Sequence, residues 1–98
     1  MTIQQESTSG RNAHLVIENP AFIEAMAVLK ASVVAQWKEC PIRDREGQLL
    51  LLQLARLADK FEGILLGAVE RGKLADSKIK LDELRDENKA RSMLRRVM

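Results

Sequence analysis

Between Asp44 and Gly72 apolar residues recur at helical spacing with unusual density. Leu50, Leu54, Leu57, Phe61, Ile64 and Ala68 keep the three-four interval that places side chains on one face of a helix. Leu49, Leu51, Leu52, Leu65 and Leu66 fall outside that stripe. A helix that is oily on more than one side must be covered on more than one side. In a chain of 98 residues the extra cover is expected from a second copy or from a partner. Leu49, Leu51, Leu52 and Leu66 are therefore candidate protein-interface positions.

The same pattern predicts a preceding helix. Phe22, Met26, Leu29, Val33 and Trp37 form a continuous stripe, with Ala25, Ala27, Ala31 and Ala35 keeping other faces slim. Asn19-Pro20 reads as its start, because Asn accepts from orphan backbone donors and Pro tolerates the first helical position. Cys40-Pro41 ends it near Glu39, since the residue before Pro is pushed out of the helical region. Asp44 is the expected cap of the next helix, with Glu46 favourably placed in its first turn. So short a connection forces the two helices antiparallel. Arg71-Gly72 reads as the close of the second helix, Gly supplying a left-handed cap.

From Lys73 the pattern becomes sparse and charged. Leu74, Leu81 and Leu84 face one way, and Asp76–Lys80, Lys78–Asp82 and Glu87–Arg91 stand four apart, as in a solvated helix. The heptad seam fails after Leu84, so a sustained coiled coil is not expected. Before Asn19, the polar residues up to Gly10 read as a flexible arm. Its short apolar patch, His14 to Ile17, either staples the first helix or adds an extended segment to a neighbour, with stapling favoured. The expected fold is all-α: an antiparallel hairpin (about 20–39 and 44–71), a third charged helix (about 73–96) and a flexible N-terminal arm. The corresponding segments are 1–18, 19–72 and 73–98.

Composition sharpens this picture at three points. Three aromatic residues, Phe22, Trp37 and Phe61, leave aliphatic side chains to fill the core, which suits helix packing. The single Cys40 and single His14 provide neither an internal disulfide nor a metal-ligand set. Net charge is +2, but residues 73–98 hold eight basic against five acidic groups, and no acid follows Glu87. Lys89, Arg91, Arg95 and Arg96 thus form a local basic end that would meet nucleic-acid phosphates. The competing readings are complementation of the helix dipole and docking of Met93, Leu94 and Val97 as an amphipathic end into a groove on a larger protein. Protein docking ranks first, phosphate contact second, and base stacking is not expected without interleaved aromatics.

Gly63-x-x-x-Gly67 lies inside the oily helix, where each Gly costs about 1 kcal/mol relative to Ala. Close approach of helices would offset this, either at a self-association seam through Gly63 and Gly67 or against the preceding helix of the same subunit. The Arg43-Asp44-Arg45-Glu46 cluster is read as a solvated turn with a cap rather than a docking point. Trp37 is read as closing the hairpin end, with an interface anchor as the alternative. No nucleophile–base pair, phosphate-binding loop or acidic metal loop is legible, so no catalytic residue, metal or cofactor is assigned. With no secretory pattern and no long uncharged apolar run, a soluble protein of the host cytoplasm is expected.

The run from Asn19 to Ala75 resembles a family of small helical proteins encoded among the head and DNA-packaging genes of tailed bacteriophages. The residues that carry the resemblance are Glu18-Asn19-Pro20-Ala21-Phe22, Trp37, Cys40 to Gly47, and Glu70-Arg71-Gly72-Lys73-Leu74-Ala75. It implies a virion or assembly component that binds itself and a larger phage structural protein, and it carries over no catalytic residue. Alternatives are a DNA-packaging accessory resembling a small terminase subunit, touching DNA through the basic end, and a small regulator that binds a host protein. Neither a membrane nor a small molecule is expected as a partner.

Overall fold

The computed structural model describes residues 1–97, with side chains through Arg95. Three helices account for nearly all of it: α1 (Ile3–Glu18), α2 (Pro20–Glu39) and α3 (Arg45–Val97). The fold is all-α, and α2 with the first half of α3 forms the expected hairpin. Its turn is built from local chemistry. Cys40 leaves α2 in an extended conformation before Pro41, and the Asp44 carboxylate accepts the Gly47 amide at 2.9 Å to cap α3. The Gln48 side chain returns to donate to the Pro41 carbonyl at 3.3 Å, closing the loop across its base.

Two expectations are corrected. Residues 3–18 are a helix, not a flexible arm. Thr2 and Gln5 form a capping box: the Thr2 hydroxyl accepts from the Gln5 amide at 3.2 Å, and the Gln5 side chain accepts from the Thr2 amide at 2.8 Å. Three small residues three apart, Ser7, Gly10 and Ala13, are buried against α3. His14 to Ile17 is therefore helical, and Ile17 borders one groove with Phe22 and Met26. The second correction concerns Gly72, which ends nothing. No glycine has positive φ, and α3 runs unbroken through the position.

Gly72 serves close approach instead. A Cβ on Gly10 would sit 2.6 Å from the Gly72 Cα, and one on Gly72 would sit 2.7 Å from the Gly10 Cα. The backbones of α1 and α3 touch at this crossing, which only two glycines allow. One turn along, Ser7 Oγ donates to the Asp76 carboxylate, and Arg11 donates to Ser7 Oγ at 2.8 Å. This polar clasp satisfies the one buried polar side chain of the seam.

Asn19 joins α1 to α2 as a single extended residue, because a residue before Pro resists the helical region. It closes α1 through its amide, donating to the Val16 carbonyl at 3.1 Å, and caps α2 through its side chain, accepting from Ala21 at 2.8 Å. Both helices therefore run antiparallel to α3, end to end along it. α1 covers the stretch around Val69 to Asp76 and α2 the stretch around Leu51 to Glu62. Beyond Ile79 every described residue of α3 is exposed, so its last eighteen positions project as a lone helix about 27 Å long.

The result is a plank, 83 × 25 × 15 Å, two helices wide and one helix thick. Its radius of gyration is 22.8 Å, against about 13 Å for a compact domain of this length. Its surface is 8385 Å², about 2,800 Å² more than a compact monomer of this mass exposes.

Candidate interaction surface

The seam of the hairpin decides which leucines are left over. Facing α2 and α1, α3 presents Leu51, Ala55, Ala58, Glu62, Leu65, Val69 and Gly72, all buried or half-buried. This register alternates steps of four and three, as two helices lying along each other require. The stripe with the strongest hydrophobic signal stands one residue earlier at each step. Leu50, Leu54, Leu57, Phe61 and Ile64 are consequently turned about 100° away from the seam, and they are 40–61% exposed.

The partner helix shows the same offset. Phe22, Met26 and Val33 lie in the seam, while Ala21, Ala25 and Ser32 directly precede them and are exposed. In an antiparallel pair, one step back along either helix turns toward the same side of the layer. One face of the plank thus carries a ridge of large apolar side chains on α3 beside a row of smaller ones on α2, namely Ala21, Ala25, Val28 and Ser32. Gln36 closes the row at the turn end, its side-chain amide donating back to Ser32 Oγ at 3.3 Å. Between Leu50 and Ile64 the ridge holds no charge. Phe22 and Phe61 meet across the helix pair with ring centroids 6.1 Å apart, in a tilted arrangement.

The opposite face is mixed. It carries Leu52, Arg56, Asp59, Gly63 and Leu66 on α3 beside Ile23, Ala27, Val34 and Lys38 on α2. An open groove there is bordered by Val34, Trp37 and Leu52, over Val33 and Leu51. Further along, Lys30 Nζ donates to Glu62 Oε1 at 2.6 Å. That hydrogen bond, reinforced by the charges of Glu62 and Asp59 against a smaller cost of desolvation, raises the Lys30 pKa above its ordinary value.

Among the interface residues expected from sequence, Leu49, Leu52 and Leu66 are exposed. Leu51 is not: at 8% exposure it packs in the hairpin seam beside Val33, so it offers nothing to a partner. Gly63 and Gly67 do not mediate close approach within the chain. A Cβ on Gly63 meets nothing within 4 Å, and one on Gly67 meets only the flexible end of Arg71 at 3.3 Å. The close-approach glycines are Gly10 and Gly72, a pair distant in sequence with no signal of its own. Trp37 borders the hairpin-end groove yet remains 57% exposed, half closing the core and half available.

On the projecting helix Met93, Leu94, Lys89 and Arg95 are exposed, while Arg91 donates to Glu87 at 2.7 Å. The side chains of Arg96 and Val97 lie outside the described residues. Among the described residues no three His, Cys, Asp or Glu side chains gather as a metal site, and no helix is long and apolar enough to cross a membrane. Cys40 is free, half-buried and placed beside Asp44. Comparison with protein-family models, curated proteins and solved structures finds no match.

Proposed function

We propose that the chain is a non-enzymatic structural or assembly protein that works through contacts of its helix faces, with copies of itself and with a larger protein. The observation that carries this reading is the uncharged ridge Leu50, Leu54, Leu57, Phe61 and Ile64, standing in solvent on a layer only one helix thick. Stable architectures bury the apolar stripe of each helix against another layer. Among the described residues no second layer covers this ridge. The setting, the head, portal or packaging region of a tailed phage particle, rests on the resemblance carried by Glu18 to Phe22, Cys40 to Gly47 and Glu70 to Ala75. The corresponding location is the virion or the cytoplasm of the infected host.

Mass spectrometry of purified particles of the encoding phage tests this. The protein is expected at a copy number consistent with a ring or a repeated vertex component, and its absence would reject the virion role. One observation favours a second reading as a DNA-packaging accessory: the projecting end of α3 is free of acids after Glu87 and exposes Lys89 and Arg95. Duplex binding that weakens steeply with salt, and whose salt slope falls on replacing Arg91, Arg95 and Arg96, would support it. Binding unaffected by those replacements would reject it.

A further inference from the structure

We propose that the ridged face is occupied by a second copy of this chain, related by a two-fold axis along the length of the plank, so that α3 of each copy lies over α2 of the other. This deepens the assembly reading and rests on it. Three features of the face select a second copy. The first is shape. A two-fold interface must be complementary to itself, and here a ridge of Leu50, Leu54, Leu57 and Phe61 runs beside a trough of Ala21, Ala25, Val28 and Ser32. Rotation about the long axis exchanges left for right and sets each ridge in the facing trough. Rotation about an axis across the plank would instead stack ridge on ridge and trough on trough.

Charge is the second feature. A charge on the ridge or in the trough would be buried against an apolar row of the other copy with no partner. The ridge positions Leu50, Leu54, Leu57, Phe61 and Ile64 and the trough positions Ala21, Ala25, Val28 and Ser32 carry no ionisable group, with exposed Glu24 flanking Ala25 at the outer edge. The opposite face, with Arg56, Asp59 and Lys38, lacks this property.

The third is area. The α2–α3 layer is about 30 Å long, from twenty residues of helix, and the plank is 25 Å wide. Two such faces brought together bury about 1,500 Å², the size of a stable specific interface. The product is an antiparallel four-helix bundle over the hairpin region, continued by α1 of each copy beside α3 of the other, with the projecting ends of α3 left for other contacts.

Sedimentation equilibrium of the full chain tests the pairing. The wild-type protein is expected at twice the 11.0 kDa chain mass at micromolar concentration. Leu57→Glu puts a carboxylate on the ridge and Ser32→Trp fills the trough. Both positions are exposed in the single chain, so each variant should keep its helical circular dichroism while dimerisation weakens at least 100-fold. Leu52→Glu, on the other face, should leave the dimer intact. A wild-type monomer at 100 µM would overturn the pairing, as would a dimer indifferent to Leu57→Glu. A dimer broken by Leu57→Glu but tolerant of Ser32→Trp would overturn the ridge-in-trough arrangement. The broader reading fails separately: a monomer that still enters particles, and ceases to do so as Leu57→Glu, sinks self-pairing and leaves assembly standing.

Discussion

Replacing Gly10 by Ala should destabilise the docking of α1, although Ala is the better helix former. Propensity alone favours the change by about 1 kcal/mol. Against it stands the crossing with α3, where the new Cβ would lie 2.6 Å from the Gly72 Cα and 2.9 Å from the Ala68 carbonyl oxygen. Both obstacles are backbone, so no side chain can rotate away, and α1 must lift by about 1 Å to regain ordinary contact. Forced overpacking of this kind costs typically 1–3 kcal/mol. The lift also stretches the Ser7–Asp76 clasp one turn away. A net loss of about 1–2 kcal/mol is expected, felt mainly in α1, since α2 and its half of α3 do not depend on that crossing. Hydrogen exchange resolved to peptides within residues 3–18 is the assay, at fixed protein concentration because association shifts apparent stability. Gly63→Ala supplies the internal control: its Cβ meets nothing within 4 Å, so propensity alone should stabilise by about 0.5–1 kcal/mol. If Gly10→Ala protected α1 as much as Gly63→Ala strengthens α3, the close-approach argument would be wrong.

Other outcomes follow from the same geometry. Asp76→Ala leaves the buried Ser7 hydroxyl without its acceptor and should cost about 1–3 kcal/mol in denaturant unfolding, whereas a change at exposed Asp82 should be near neutral. The raised Lys30 pKa means the folded state holds that proton more tightly than the unfolded chain. Its stabilisation is therefore complete below the unfolded lysine pKa and disappears as pH rises through the folded value. Thermal melts between pH 8 and about 11 should show a steeper alkaline loss in wild type than in Lys30→Met; identical slopes would deny the pair any role. Removing residues 81–98 should leave the unfolding of the hairpin unchanged, because the described residues past Lys80 are all exposed. A large loss in denaturant midpoint would show that this segment packs back on the body.

What could be read from the chain alone was what neighbouring residues decide between themselves. Asn19-Pro20 starts a helix, Cys40-Pro41 stops one and Asp44 caps the next, because capping and pre-proline restriction act over a few residues. The all-α hairpin follows from these and from helical periodicity. The helix at residues 3–18 had a local sign in Thr2 and Gln5, but its buried face is Ser7, Gly10 and Ala13, which hydropathy does not register. Gly72 looked like a terminator because a glycine after Arg suits a helix end, and nothing nearby in sequence points to Gly10 as the reason it sits mid-helix.

The tertiary structure alone decided which side of α3 is covered. Two apolar stripes lie one residue apart on that helix, and the sequence made the one through Leu50, Leu57 and Phe61 the stronger. The fold covers the other, through Leu51, Ala58 and Val69. The distance between two helices packed along their length depends on the side chains at their contact, and here Ala55, Ala58 and Gly72 lie inward with Leu51, Leu65 and Val69, while Leu50, Leu54, Leu57 and Phe61 stay outside. Periodicity reports that a face is oily. Which neighbour covers it depends on how near another helix can come.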